Sequence, residues 1–126
     1  MSPPKFYVGR HFELHFYQRD DGSIPAREFL EAIDRGNRQF NHSLRLQATM
    51  KRFADSPPGT RFPGEQFKRI EGSIWEFKAH QLRLFVYREN RSVVLLMGLQ
   101  KKQDALRSGE LEQIRNMAGE YSTRTS

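Results

Sequence analysis

The sequence predicts a single α+β domain with the element order β-α-α-β-β-β-α and helices packed on one face of a mainly antiparallel sheet. Three observations predict this fold. The chain has 126 residues, about the size of one compact domain. Its hydrophobic content of 37% is enough to build a core. Segments with helical spacing come early in the chain and most strand-like segments come later, which is typical of the α+β class.

The first half of the chain predicts one strand and two helices. Apolar and polar residues alternate over residues 12–17, as in a half-buried strand. Pro25 suits the first turn of a helix whose apolar residues follow helical spacing as far as Ile33. A second helix is predicted over residues 41–54. It ends before residues 56–64, a stretch with three prolines and two glycines that cannot form regular structure.

The second half predicts three strands and a last helix. Residues 74–78 and 82–87 are strands joined by a short polar turn, and residues 93–99 are apolar on both faces, as in a central strand. Ser108 can cap the helix that follows. The single domain therefore covers residues 1–126. Its first ten residues and residues 122–126 are expected to be flexible tails.

Composition excludes several classes of function. The chain has no cysteine, which removes disulfides, thiol catalysis and thiolate metal sites. No apolar stretch is long enough for a transmembrane helix and the N-terminus lacks the apolar region of a signal peptide, so we expect a cytoplasmic protein with no membrane partner. There is no Gly-rich phosphate loop, and His11 and His15 have no convincing third ligand. We therefore expect neither a cofactor nor a metal.

Positive charge is concentrated in one third of the chain. The formal net charge is +6, and residues 61–102 hold nine Lys or Arg against four Asp or Glu. Such a field favours a polyanion such as nucleic acid, although a surface adapted for solubility has the same composition. Arg38, Arg45 and Arg52 are spaced seven apart and form a ridge along the second helix. This ridge is either a binding surface or a solvated helix face.

Alternation along two strands predicts an outward face that mixes cations with aromatic rings. If Trp75, Phe77, Leu82, Leu84 and Val86 pack on the helices, the residues between them face away. That outward set is Glu76, Lys78, Arg83, Phe85 and Tyr87. Cations neutralise phosphates and exposed rings stack on unpaired bases, so this face favours nucleic-acid binding. The alternative is an ordinary outer face of a two-layer sheet.

Four short motifs follow one another between residues 67 and 102. Lys68 precedes Gly72 by a few residues, and Trp-Glu-Phe-Lys follows at 75–78. A strand then runs from Arg83 to Tyr87, and an apolar strand ends in the pair at 101–102. In this order the motifs resemble the phage Gp49-like/HigB branch of the RelE/ParE toxin superfamily. The resemblance covers the C-terminal half in detail, and the element order extends it to the whole chain as a RelE-like fold.

The resemblance implies a toxin of a type II toxin–antitoxin system, an mRNA interferase that cleaves RNA without a metal or cofactor. The RNA 2′-OH is the nucleophile, and fixed cations stabilise the charged transition state. By the resemblance, Lys78 and Arg83 stabilise the phosphate, while Lys101 or Lys102 positions it or protonates the leaving 5′-oxygen. Glu76 is either a general base or a structural ion-pair partner. The residues implied to contact the RNA backbone are Arg45, Lys51, Arg52, Lys68 and Arg69.

The resemblance also implies partners. These are mRNA, free or on the ribosome, and a cognate helix-turn-helix antitoxin. Two other interpretations remain open: a ParE-like inhibitor of gyrase, and a catalytically inactive relative that binds RNA or a protein partner. Lys78 stands where the family often has Arg, and residues 103–109 lack the proline that the family usually has before its last helix. Both differences favour the inactive relative. Lys lacks the planar guanidinium with which Arg can bind two phosphate oxygens at once.

Overall fold

The computed structural model describes residues 4–33, 35–103 and 105–125 and confirms the α+β class. Six strands and three helices form in these residues. In chain order they are β1 (Lys5–Val8), β2 (Glu13–Phe16), α1 (Pro25–Glu31), α2 (Phe40–Ala54), β3 (Phe67–Glu71), β4 (Ile74–Ala79), β5 (Leu82–Glu89), β6 (Ser92–Gln100) and α3 (Ser108–Thr125). Within the described residues, no helix is both long and apolar enough to cross a bilayer.

All six strands belong to one sheet with the order β1-β2-β6-β5-β4-β3. Every neighbouring pair is antiparallel except β2 and β6, which run parallel. Two-residue turns connect β3 to β4, β4 to β5 and β5 to β6. The first residue of each turn has a positive φ, in the left-handed region of backbone conformation: Gly72, His80 and Asn90. A two-residue turn is too short for a crossover connection, so the strands on either side of it pair antiparallel. β6 lies inside the sheet, as its two apolar faces predict.

The sequence missed two strands. β1 lies within the stretch that we expected to be a flexible tail, and its Phe6 and Tyr7 pack against the core. β3 is an edge strand that follows directly after the Pro/Gly-rich loop. Residues 122–125, the other expected tail, belong to α3, while residues 1–3 and 126 lie outside the described residues. Both missed strands are short and lack a long alternating pattern, so periodicity alone does not reveal them.

The expectation that all helices pack on one face of the sheet is wrong. Residues of α1 and α2, such as Leu46 and Met50, pack with Phe77 and Leu84 on one face. On the opposite face, Ile114 of α3 and its neighbours pack on residues that include Phe85, Leu96 and Met97. The physical reason lies in β5 and β6, which are buried on both faces and therefore need cover on both. The sheet is the middle layer of three.

Candidate nucleic-acid interface

The pairing of β3, β4 and β5 brings three predicted cations and one carboxylate to the α3 face of the sheet. Lys78 lies directly opposite Arg83, and Glu76 lies opposite Lys68 on one side and Phe85 on the other. Residues directly opposite each other share a face, and Phe85 packs against α3. Lys68, Glu76, Lys78 and Arg83 therefore form one cluster, here called the basic cluster.

Two members of the basic cluster are almost fully buried. Glu76 is 1% exposed and Arg83 is 3% exposed, whereas Lys68 and Lys78 are half-buried. The Arg83 guanidinium donates through Nη1 to the carbonyl oxygens of His80, at 2.5 Å, and Leu82, at 3.0 Å. These bonds fix the guanidinium against the turn between β4 and β5. A buried carboxylate is tolerated where cations compensate its charge, and Glu76 lies in a cluster with three of them.

The two lysines at 101 and 102 have different surroundings. Lys101 is 8% exposed, and its ammonium group forms an ion pair with Glu110 in the first turn of α3. The pKa of Glu110 is held below its usual value, first by the hydrogen bond from Lys101 and then by the one from the backbone N–H of Arg107. Lys102 is exposed. Only Lys102 of this pair is therefore open to a ligand without rearrangement.

The expectation that Phe85 faces outward is wrong, and with it the role of this ring in stacking on bases. Phe85 is fully buried because α3 covers the face to which the strand alternation assigns it. Tyr87, on the same face, is half-buried, and its ring centroid lies 5.3 Å from that of Tyr121 in α3. The other half of the alternation is confirmed, since Trp75, Phe77, Leu82, Leu84 and Val86 belong to the core that α1 and α2 cover.

The predicted cations of α2 lie in the opposite layer from the basic cluster. Arg45, Lys51 and Arg52 are all exposed on this helix. Lys51 lies over the rings of Phe6 and Tyr7 at the β1 edge of the molecule. The structure therefore does not bring the three α2 cations together with Lys78 and Arg83 on one face.

β3 presents its two predicted cations to different faces. Lys68 is paired with Glu76 and joins the basic cluster, but Arg69 is paired with Trp75 and so belongs to the α2 face. Arg69 is exposed, and its Nε donates to the carbonyl oxygen of Gly72 at 2.9 Å. Because β3 is an edge strand, a chain that follows this edge can meet both side chains.

The turn between β4 and β5 connects the two layers. The ring of His80 stacks on that of His42 in α2, with centroids 3.6 Å apart, and Arg45 Nη1 lies 3.3 Å from His80 Nε2. The backbone of the same turn holds Arg83 from the other side. The pKa of His42 is lowered, first by desolvation and then by the charges of His80 and Arg45. The sequence analysis missed this histidine pair, because nothing local in the chain relates the two residues.

Within the described residues, no group of three or more His, Cys, Asp or Glu side chains is placed to hold a metal ion. His15, one of the two histidines considered from spacing, lies 3.1 Å from a carboxylate oxygen of Glu13.

The chain matches no family model, and none of the curated proteins matches it. What the structure defines is a class: an α+β protein with a six-stranded, mostly antiparallel sheet and three helices. On its α3 face, this protein carries a basic cluster built from three adjacent strands.

Proposed function

We propose that the protein is a toxin-type endoribonuclease, an mRNA interferase that cleaves RNA by attack of the 2′-OH on the adjacent phosphate. One observation carries the proposal: Lys78 and Arg83 lie directly opposite each other on neighbouring strands, beside Lys68. Three cations on one face form the type of surface that binds a phosphodiester. The four sequence motifs that contain them support the toxin assignment.

The chemistry needs few groups from the protein. The 2′-oxygen bonds to phosphorus and gives up its proton, the bond to the 5′-oxygen breaks, and that oxygen takes a proton. The products are a 2′,3′-cyclic phosphate and a 5′-hydroxyl. Negative charge accumulates on the phosphate oxygens in the transition state, so cations held in place beforehand accelerate the reaction. Arg83 has this property, because two backbone carbonyls fix its guanidinium; at 3% exposure its charge acts on the phosphate through its electric field rather than by direct contact.

Exposure assigns different roles to the remaining residues. Lys78 is half-buried and Lys102 is exposed, which leaves both able to contact an RNA phosphate. Glu76 is 1% exposed, and a general base must come within hydrogen-bond reach of the proton that it removes. We therefore assign Glu76 to charge compensation under the cations. Lys101, held by Glu110, positions α3 beside the site.

RNA that leaves the basic cluster would reach α2 by passing the turn between β4 and β5. Arg45 contacts His80 of this turn, which makes Arg45 the α2 cation best placed to bind the backbone of the flanking RNA. The proposed partner is a cognate helix-turn-helix antitoxin with an acidic segment that covers the cationic surface. An mRNA substrate, on or off the ribosome, places the activity in the cytoplasm.

A second candidate is a relative that binds RNA or a protein without cleavage. The observation that favours it is the burial of Arg83 and Glu76, which keeps both side chains from direct contact with RNA. A third candidate is the ParE-like inhibitor of gyrase, which would be recognised because its expression damages DNA rather than RNA.

The test is tightly controlled expression of the full chain, followed by measurement of growth and mapping of mRNA 5′ ends. Growth arrest with new 5′ ends is the expected result. Lys78→Ala should abolish both, whereas Arg27→Ala, which removes an equal charge from an exposed position of α1, should abolish neither. Circular dichroism of the purified variants confirms that each is folded.

Three results would overturn the proposal. Arrest with DNA damage and intact mRNA indicates the gyrase inhibitor, and RNA binding without arrest indicates the inactive relative. Arrest that Lys78→Ala leaves unchanged removes the basic cluster from the mechanism. The purified protein should also cleave RNA in the presence of a chelator, and the products should carry 5′-hydroxyl groups.

A further inference from the structure

A pocket with aromatic walls lies on the face of the sheet that α2 covers, opposite the basic cluster. Its volume is about 340 Å³, and its walls include Phe53 of α2, Phe67 of β3 and Trp75 of β4. Phe62 and Arg61, in the Pro/Gly-rich loop before β3, line it as well. We call it the aromatic pocket. Its volume is at the lower end of the range for sites that bind small molecules.

Arg88 of β5 supplies the central charge of the aromatic pocket. Its guanidinium carbon lies 4.6 Å from the ring centroid of Trp75 and 5.1 Å from that of Phe53, with Phe12 and Phe67 within 5.7 Å. Partial burial lowers the pKa of Arg88 below its usual value. Ring faces attract a cation but do not replace the hydrogen bonds that its five N–H groups lose with water.

No carboxylate compensates Arg88 among the described residues, where its guanidinium forms neither an ion pair nor a hydrogen bond. The pocket lining contains a second cation, Arg61, and no acidic residue. At the rim, Arg52 lies over the ring of Phe62, 5.3 Å from its centroid, and donates to Gln66. The pocket therefore combines flat apolar walls with a positive charge that lacks an anion.

We propose that the aromatic pocket binds a nucleotide, with the phosphate on the guanidinium groups of Arg88 and Arg61 and the base against the aromatic walls of the pocket. Arginine forks match phosphate oxygens, and every base has a flat face that aromatic rings can stack on. Two arginines in a lining without an acidic residue favour a phosphate, which offers more acceptor oxygens than a single carboxylate. The nucleotide is either free or an unpaired unit of a single strand.

This binding site does not depend on the proposed cleavage. Arg88 lies on the α2 side of β5, among Trp75 and its core neighbours, whereas Arg83 lies on the α3 side of the same strand. A protein without ribonuclease activity would retain the aromatic pocket. The two proposals therefore fail separately: loss of the first would show in RNA cleavage, and loss of the second in ligand binding.

Trp75 provides the measurement, because it is the only tryptophan of the chain and forms a wall of the pocket. The full-length protein is titrated at constant ionic strength with uridine monophosphate, uridine, inorganic phosphate and phenylacetate, while Trp75 emission is followed. The monophosphate should give a saturable change and bind about tenfold more tightly than any of the other three, a difference of about 1.4 kcal/mol.

Variants assign the response to the pocket. Arg88→Gln and Arg61→Gln should each weaken monophosphate binding about tenfold. Arg91→Gln, which removes the same charge from the exposed turn between β5 and β6, should leave it unchanged. Arg61 lies on an exposed loop, so its variant should keep the stability of the parent even if Arg88→Gln does not. Thermal unfolding without ligand checks both.

The proposal is overturned if the monophosphate gives no saturable change, or if it binds no more tightly than phosphate or uridine. Tighter binding of phenylacetate would also overturn it, because the pocket would then be a site for aromatic carboxylates such as those of a peptide. Titration with a short oligouridylate distinguishes a free nucleotide from a nucleotide within a single strand. Tighter binding than the monophosphate identifies a nucleotide within a strand, and equal binding identifies a free nucleotide.

Discussion

The ammonium group of Lys101 lies 2.5 Å from a carboxylate oxygen of Glu110, so that the end of β6 is joined to the first turn of α3. The same oxygen accepts the backbone N–H of Arg107. A carboxylate in the first turn of a helix is further stabilised by the helix dipole. Glu110 thus holds α3 in the position that covers Phe85 and borders the basic cluster.

We predict that Glu110→Gln destabilises the protein by about 1–3 kcal/mol, because the buried Lys101 loses its charged partner. Denaturant unfolding at neutral pH measures the change. The folded pKa of Glu110 is lowered, so its contribution is present above the ordinary value of 4.5 and disappears as the pH falls through the folded pKa. The difference between parent and variant should therefore shrink in acid. Glu112→Gln, an equal charge change at an exposed position of α3, should cost less than about 0.5 kcal/mol.

Phe85→Ala should destabilise the protein by about 3–5 kcal/mol, since the fully buried ring fills the core between the sheet and α3. The measurement is equilibrium unfolding, with Phe85→Leu as the conservative control, which should recover most of the loss. A small effect of Phe85→Ala would contradict the packing of α3 and restore the outward face predicted from the sequence.

The alternation of residues predicted which side chains share a face but not what covers that face. Phe77 and Leu84 pack under α2 as predicted, because a strand period assigns them to one side without further information. The opposite side was predicted to be open, and charges such as Glu76 and Arg83 made that interpretation natural. Their burial depends on compensation by neighbouring strands and on α3, which are contacts between distant parts of the chain.

The two sites that contain cations also differ in how far the sequence predicts them. Lys78 and Arg83 could be paired from the sequence, because a short turn separates their strands. The pocket around Arg88 could not, since its walls come from α2, a loop and three strands, and no local pattern relates them. Sequence spacing predicts which residues are neighbours within a hairpin, whereas the lining of a pocket depends on how the helices and the sheet pack together.

Gly98 permits the close approach of α1 to β6. A Cβ atom at this position would overlap the ring of Phe29, which packs directly on the backbone of the strand. We predict that Gly98→Ala destabilises the protein by about 1–3 kcal/mol, because either the ring or the helix must move. Gly119→Ala is the matched control. Nothing lies near its Cβ, and alanine favours the helix by up to about 1 kcal/mol, so this variant should be neutral or more stable in urea unfolding.

His42 should make the protein less stable in mild acid. Its ring stacks on His80, Arg45 approaches the same pair, and its Nδ1 lies 2.6 Å from Oε1 of Gln39. Desolvation and the charges of His80 and Arg45 lower the pKa of His42 in the folded protein. The unfolded chain therefore binds the proton more readily. The stability contributed by neutral His42 is therefore fully present above its ordinary pKa of 6.5 and is lost as the pH falls from that value towards the lowered folded pKa.

The measurement is urea unfolding of the parent and of His42→Phe at one unit above and one unit below that ordinary value. Phenylalanine keeps a flat ring against His80 but cannot take up a proton, so the variant should lose less stability than the parent between the two conditions. Equal losses in the two proteins would contradict the prediction. In that event the acid sensitivity would come from another group, and the stack of His42 on His80 would be a packing contact that does not depend on protonation.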